Sequence, residues 1–139
     1  MTLDTVPAAA SEPLNLLLIE DDDGDAKAVQ RAFRTAKVRN TITRAHDGME
    51  ALQLLRGGEG GSVLQAPYIL LVDINMPRLD GFQFADAYHA LYPELKGHAR
   101  LFVCSSSINP ADRQRTDDHP VIDGFCEKPV TRGVLGELL

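Results

Sequence analysis

The sequence predicts an α/β domain: a five-stranded parallel sheet with helices on both faces. Three observations point there. Leu14–Ile19 (LNLLLI), Tyr68–Val72 (YILLV) and Leu101–Cys104 (LFVC) are short runs, apolar at nearly every position, as strands buried on both faces read. Each stops abruptly on polar residues: Glu20-Asp21-Asp22-Asp23, Asp73, and Ser105-Ser106-Ser107. Helical spacing fills the intervals, and strands alternating with helices build parallel sheets.

Residues 1–13 (MTLDTVPAAASEP) mix small residues with two prolines and read as a flexible leader to a single domain over 14–139. After the first strand, Val29, Ala32, Phe33 and Ala36 fall at i, i+3, i+4 and i+7, the stripe of a helix. Thr41–Ala45 (TITRA) is short and partly polar, which suits an edge strand. Asp47-Gly-Met-Glu50 resembles a capping box opening a helix through about Arg56. Residues 57–66 (GGEGGSVLQA) form a glycine-rich loop.

After the second buried run, Asp80-Gly81 reads as a turn and cap. Phe84, Ala87, Tyr88 and Leu91 make the next helical stripe, stopped by Pro93. Asn109-Pro110 starts a fourth helix with proline in its first turn. Its body, Ala111–His119 (ADRQRTDDH), is polar and short, and it must end before His119-Pro120. Val121–Cys126 (VIDGFC) is the fifth strand, and Thr131 caps a last short helix.

Composition removes several function classes. The 139 residues suit one domain, and the net charge of −6 disfavours nucleic acid and anionic membrane surfaces. No run approaches the roughly 18 apolar residues of a membrane span. The N-terminus lacks the pattern of a secretory signal. With Cys104 and Cys126 alone there is no disulfide framework, and a cytoplasmic protein is expected. Both cysteines read as small apolar fillers near the ends of neighbouring strands. His46, His89, His98 and His119 show no metal spacing and read as surface residues.

In open parallel sheets, ligands bind outside the carboxyl ends of the strands. Glu20/Asp21, Asp73, Ser105 and Lys128 each follow a different strand, so they should converge. Carboxylates gathered together raise one another's pKa unless a cation compensates them. Mg²⁺ fits, because it is held by one or two carboxylates together with water and phosphate oxygens. A lysine and a hydroxyl facing Asp73 suit a phosphoryl group on that carboxylate, which needs no general base at neutral pH. Each element has an ordinary reading taken alone: helix capping for the acidic run, a turn for Asp73, a surface lysine for Lys128. Capping remains the reading for Asp22, Asp23 and Asp25. The chemical reading draws its strength from joint occurrence at successive strand ends.

At these residues the sequence resembles the receiver domains of two-component response regulators. LLLIEDD, LVDINMPRLDGF, LFVCSSS and GFCEKP resemble that family's segments in order and at proper intervals, over about residues 14–139. The resemblance implies the flavodoxin-like receiver fold with sheet order 2-1-3-4-5. It makes Asp73 the phosphoacceptor, Asp21 a direct carboxylate ligand to Mg²⁺ (or Mn²⁺), and Glu20 a ligand mainly through water. Asn75 would offer its backbone carbonyl to the metal. Lys128 would pair with the phosphoryl group, across a cis bond to Pro129. Ser105 would be the switch hydroxyl and Phe125 the switch aromatic, while Asn75 and Ser107 side chains would modulate slow self-dephosphorylation.

Ser105 stands where threonine is commoner in the family, and Phe125 where tyrosine is frequent. The implied function is a phosphorylation switch, with a sensor histidine kinase or phosphotransfer protein as donor. With no output domain in the sequence, output is expected through a downstream protein partner, a further relay, or a homodimer. A receiver-like adaptor acting without phosphorylation is the alternative. A small-molecule phosphohydrolase fits poorly, since Asn75 stands where such enzymes carry a second acid.

Overall fold

The computed structural model describes residues 14–36, 40–56, 68–91, 99–107, 109–131 and 133–134. Five strands run through it: β1 (Leu14–Ile19), β2 (Asn40–Ala45), β3 (Tyr68–Asp73), β4 (Ala99–Ser105) and β5 (Gly124–Glu127). Four helices alternate with them among the described residues: α1 (Asp23–Ala36), α2 (Gly48–Arg56), α3 (Gly81–Leu91) and α4 (Pro110–Asp118). All pairings are parallel, in the order β2-β1-β3-β4-β5. The polar strand Asn40–Ala45 takes the edge, as its composition demands. The expected leader, the glycine-rich loop at 57–66, the stop at Pro93 and His98 lie outside the described residues. No helix among those described is long and apolar enough to cross a membrane.

The near-continuous apolar runs divide by parity, because successive strand side chains point to opposite faces. Leu17, Ile19, Leu70, Val72, Leu101 and Val103 pack with Leu52 and Leu55 of α2 and Phe84 and Tyr88 of α3. Leu16, Leu18, Ile69, Leu71, Phe102 and Cys104 pack on the opposite side with Val29, Ala32 and Phe33 of α1. Each fully buried Leu, Ile, Val or Phe among them stabilises the fold by roughly 1.5–3 kcal/mol through its removal from water. The α3 stripe is wider than Phe84 and Tyr88 suggest, since Phe82 and Ala85 are buried as well.

The helix starts are fastened by side chains. Asp47 Oδ1 accepts from the Glu50 N–H at 2.8 Å, while Glu50 Oε1 accepts from the His46 N–H at 2.6 Å, one residue further back than a standard capping box. Asp80 and Gln83 form the full reciprocal pair, at 2.8 and 2.9 Å. Asn109 caps α4 by accepting from the Asp112 N–H at 2.7 Å, with Pro110 as first helical residue. Only Thr116 of α4 is buried, and stacking adds to its anchorage: Arg115 lies 4.0 Å over the Phe82 ring and Arg113 5.3 Å over Phe125. Thr131 Oγ1 accepts from the Val134 N–H at 3.2 Å, as a helix cap would. Residues 132 and 135–139 of that expected helix lie outside the described residues.

The fifth strand begins later than the sequence suggests. Val121 and Ile122 are buried in the core but stand outside the strand. Asp123 explains the delay: its carboxylate accepts from the Leu101 N–H at 2.8 Å and its own N–H donates to the Leu101 carbonyl at 2.7 Å. Strand pairing with β4 therefore starts at Gly124, opposite Phe102. His119 also departs from a plain surface residue. Its side chain is 11% exposed, its Nε2 lies 2.7 Å from Asp86 Oδ1, and its Nδ1 accepts from the Val121 N–H. It closes the end of α4.

Candidate functional site

The carboxyl ends of β1, β3 and β5 bring Glu20, Asp73 and Lys128 together. Lys128 Nζ lies 2.7 Å from Glu20 Oε1 and 3.3 Å from Asp73 Oδ2. All three side chains are largely withdrawn from solvent, at 11% exposure for Lys128, 3% for Glu20 and 9% for Asp73. Asp21, exposed, completes a group in which carboxylate oxygens of Glu20, Asp21 and Asp73 lie within 4.8 Å of one another.

Local structure fixes each member. Arg44 on β2 donates from Nε to the Glu20 carbonyl at 3.0 Å and from a terminal nitrogen to Asp23 at 2.8 Å, which pins the turn after β1. Asp73 Oδ1 accepts from the Asn75 N–H at 3.1 Å, so one oxygen is tied to its own loop while the other faces Lys128. The loop then turns tightly at Arg78, at a φ of 69°, with the Leu79 N–H on the Pro77 carbonyl at 2.7 Å. An Arg78–Asp47 ion pair ties that turn to the start of α2. The Lys128–Pro129 peptide is cis, and the Lys128 N–H donates to the Ser105 carbonyl at 3.0 Å.

The electrostatics are those of a site with excess negative charge. Burial raises the Glu20 pKa from an ordinary 4.5 to about 7; the Lys128 hydrogen bond opposes this, and the Asp73 charge adds to it. A hard divalent cation with oxygen ligands, such as Mg²⁺, would relieve this, and the three carboxylates lie close enough together that they could hold a metal ion. The residues fit the ion.

Ser105 is buried at the end of β4, but its hydroxyl is engaged within its own loop. It donates to the Ser107 carbonyl at 2.9 Å and accepts from the Ser107 N–H at 3.1 Å. Phe125 is partly buried against the core, under Arg113. Asn75 is exposed.

Asp25 is the member that the sequence reading missed. Capping belongs to Asp22, which accepts from the Asp25 N–H at 2.7 Å, and Asp23 pairs with Arg44. Asp25 instead reaches Lys128 Nζ at 2.8 Å. A signal was present: Asp25, Val29 and Ala32 lie at i, i+4 and i+7, so this acid continues the buried stripe of α1 by one turn.

A parallel sheet in this order, with carboxylates and a lysine at the strand ends, defines the receiver class of signalling domain. The chain belongs to the response regulator receiver domain family, whose pattern matches residues 16–139. It is 29% identical over 127 residues to a probable methanogenesis regulatory protein, FilR2, of Methanothrix harundinacea, covering 88% of this chain and 76% of that one. It is 30% identical over 132 residues to the sensor protein TorS of Escherichia coli, covering 95% of this chain but 13% of TorS. The sensor histidine kinase CheAY of Helicobacter pylori matches at 29% over 124 residues, and this chain spans 14% of its length.

Among solved structures, a two-component response regulator from Cytophaga hutchinsonii superposes with a TM-score of 0.81 at 25% identity, over 91% of this chain and 94% of that one. The phosphorylated cyanobacterial phytochrome response regulator RcpA gives 0.74 at 26%, over 91% and 89%. Receivers of this family are signalling modules that take phosphoryl groups from histidine kinases or phosphotransfer proteins, and they generally bind Mg²⁺.

Proposed function

We propose that the protein is a phosphorylation-dependent switch in which Asp73 accepts a phosphoryl group and partner binding changes in response. The observation that carries this reading is the Lys128 ammonium, held in a largely buried site between Glu20 and Asp73. Asp73 Oδ2 attacks phosphorus in line with the leaving group. The new O–P bond forms as the donor's P–N bond (phosphohistidine) or P–O bond (acyl phosphate) breaks, and the bonding pair leaves with the donor. Lys128 supplies positive charge where negative charge accumulates, and the Asn75 N–H keeps the carboxylate oriented.

Glu20, Asp21 and Asp73, with the Asn75 backbone carbonyl, would hold Mg²⁺, which supplies charge neutralisation for the phosphoryl oxygens when bound. Ser105 is assigned the switch hydroxyl: it exchanges its Ser107 partners for a phosphoryl oxygen, and Phe125 follows inward, leaving Arg113. The donor is a histidine kinase or phosphotransfer protein, and the readout is a protein partner or a second copy of the chain.

Intact mass after exposure to acetyl phosphate tests this directly. A single Mg²⁺-dependent phosphoryl adduct is expected on the parent and none on Asp73→Asn. A parent that takes no adduct, and shows no beryllofluoride binding either, overturns the reading.

A further inference from the structure

Lys128 Nζ has three N–H donors and three carboxylates around it. Its contacts with Glu20 at 2.7 Å and Asp25 at 2.8 Å are shorter than the 3.3 Å to Asp73. Asp25 differs from the other two. It comes from the first turn of α1, not from a strand end, and its side chain is 46% exposed where Lys128 is 11% exposed. It stands outside the carboxylate group suited to a cation. The helix start has no need of it, because Asp22 already caps α1. Asp25, Ala28, Cys104 and Pro129 share a small cleft with Asp73 and Lys128, so the contact lies at the site itself.

Burial opposes the charge on Lys128. The hydrogen bonds to Asp25 and Glu20 and the charges of Glu20 and Asp73 together outweigh the burial, so the ammonium is held above the ordinary lysine range.

We propose that Asp25 is a positioning residue for phosphoryl acceptance: it draws Lys128 toward α1 in the unphosphorylated protein and competes with the incoming phosphoryl group for the ammonium. The proposal rests on the reading of Asp73 as phosphoacceptor. Two effects act in the same direction. The ammonium must loosen its bond to Asp25 before it can serve a phosphoryl oxygen fully, and the Asp25 charge itself repels a dianionic donor. Asp25 is thus a brake on phosphorylation.

The test compares the parent with Asp25→Asn and Asp25→Glu in Mg²⁺, following adduct formation by intact mass. Asp25→Asn should react about threefold to tenfold faster with acetyl phosphate, as expected for removing one charge near the reacting group. Asp25→Glu should stay near the parent. The gain should shrink with phosphoramidate, a less negatively charged donor, a distinction to which a purely structural effect is blind.

A second readout needs no phosphorylation. In Mg²⁺-free protein, the side-chain ammonium resonance of Lys128, identified by its loss in Lys128→Arg, should shift in Asp25→Asn, while those of Lys27, Lys37 and Lys96 stay in place. An adduct on the parent with equal or slower reaction in Asp25→Asn overturns this proposal alone, as does an unmoved Lys128 resonance. No adduct on the parent overturns the phosphoacceptor reading and this proposal with it.

Discussion

Gly81 presses its α-carbon against the backbone of the residue that ends β3: a β-carbon built there would stand 2.9 Å from the Asp73 carbonyl oxygen and 2.9 Å from Ile74 Cα. The Gly81 N–H also donates to the Ile74 carbonyl at 3.0 Å, so the start of α3 is stitched to the loop carrying Asp73. Backbone cannot rotate aside as a side chain can. Gly81→Ala should therefore destabilise the protein by about 1–3 kcal/mol, the usual range for overpacking, and weaken Mg²⁺ binding as Asp73 is displaced. Urea unfolding followed by circular dichroism, with calorimetric Mg²⁺ titration, measures both. Stability within experimental error of the parent would mean the loop yields freely.

The reciprocal Asp80–Gln83 pair should contribute more than its exposed position suggests. Asp80→Ala leaves the Gln83 N–H without its cap and frees the Gln83 side chain, so a loss of about 1 kcal/mol is expected. Asp80→Asn retains an acceptor oxygen and should lose less. Equal losses for both variants would show that charge near the helix N-terminus matters more than the hydrogen bond.

The strands most legible in the sequence are those buried on both faces. Leu14–Ile19 and Tyr68–Val72 have few polar positions because α1 covers one side and α2 with α3 the other. The same logic misplaced the start of the fifth strand. Val121 and Ile122 are apolar because the core takes them, and apolar character alone does not reveal that Asp123 occupies the Leu101 hydrogen bonds first. Glu20, Asp73 and Lys128 were readable as a group because sheet topology converts strand ends into one place. Asp25 was not, since its contact spans 103 residues and an acid in a helix's first turn has a sufficient local explanation.

Two sets of carboxylates should give opposite pH signatures in Mg²⁺-free buffer. Burial lifts the folded-state pKa of Glu20 from 4.5 to about 7, so its contribution to stability is fully present below pH 4.5 and is lost as pH rises through 7. Asp47 and Glu50 behave inversely. Backbone hydrogen bonds from Glu50 and His46 respectively hold them below their ordinary values, so their contribution is present above those values and fades as pH falls below them. Comparing unfolding free energies between pH 4.5 and 7.5, Glu20→Gln should flatten the decline expected of the parent toward high pH. Adding Mg²⁺ should raise stability chiefly at the alkaline end, where Glu20 is ionised. An unchanged slope in Glu20→Gln would refute this account of Glu20.

Cys104 and Cys126 face each other in register between β4 and β5, each at most 4% exposed. The Cys104 thiol is hydrogen-bonded to Cys126 and buried, and both effects push its pKa well above the ordinary 9.0. The thiolate is the reactive form, so burial of both thiols and the raised pKa of Cys104 disfavour modification in the folded protein. An aromatic disulfide reagent at pH 8 should therefore label both cysteines only as fast as the chain unfolds, with labelling accelerating in step with the urea transition. Cys104→Val keeps an apolar side chain of similar size and should cost under about 1.5 kcal/mol, as volume-conserving core changes do. Immediate labelling of one thiol in native buffer would reveal a reactive cysteine beside Asp73 and Lys128. A much larger loss in Cys104→Val would show that the thiol pair contributes more than packing.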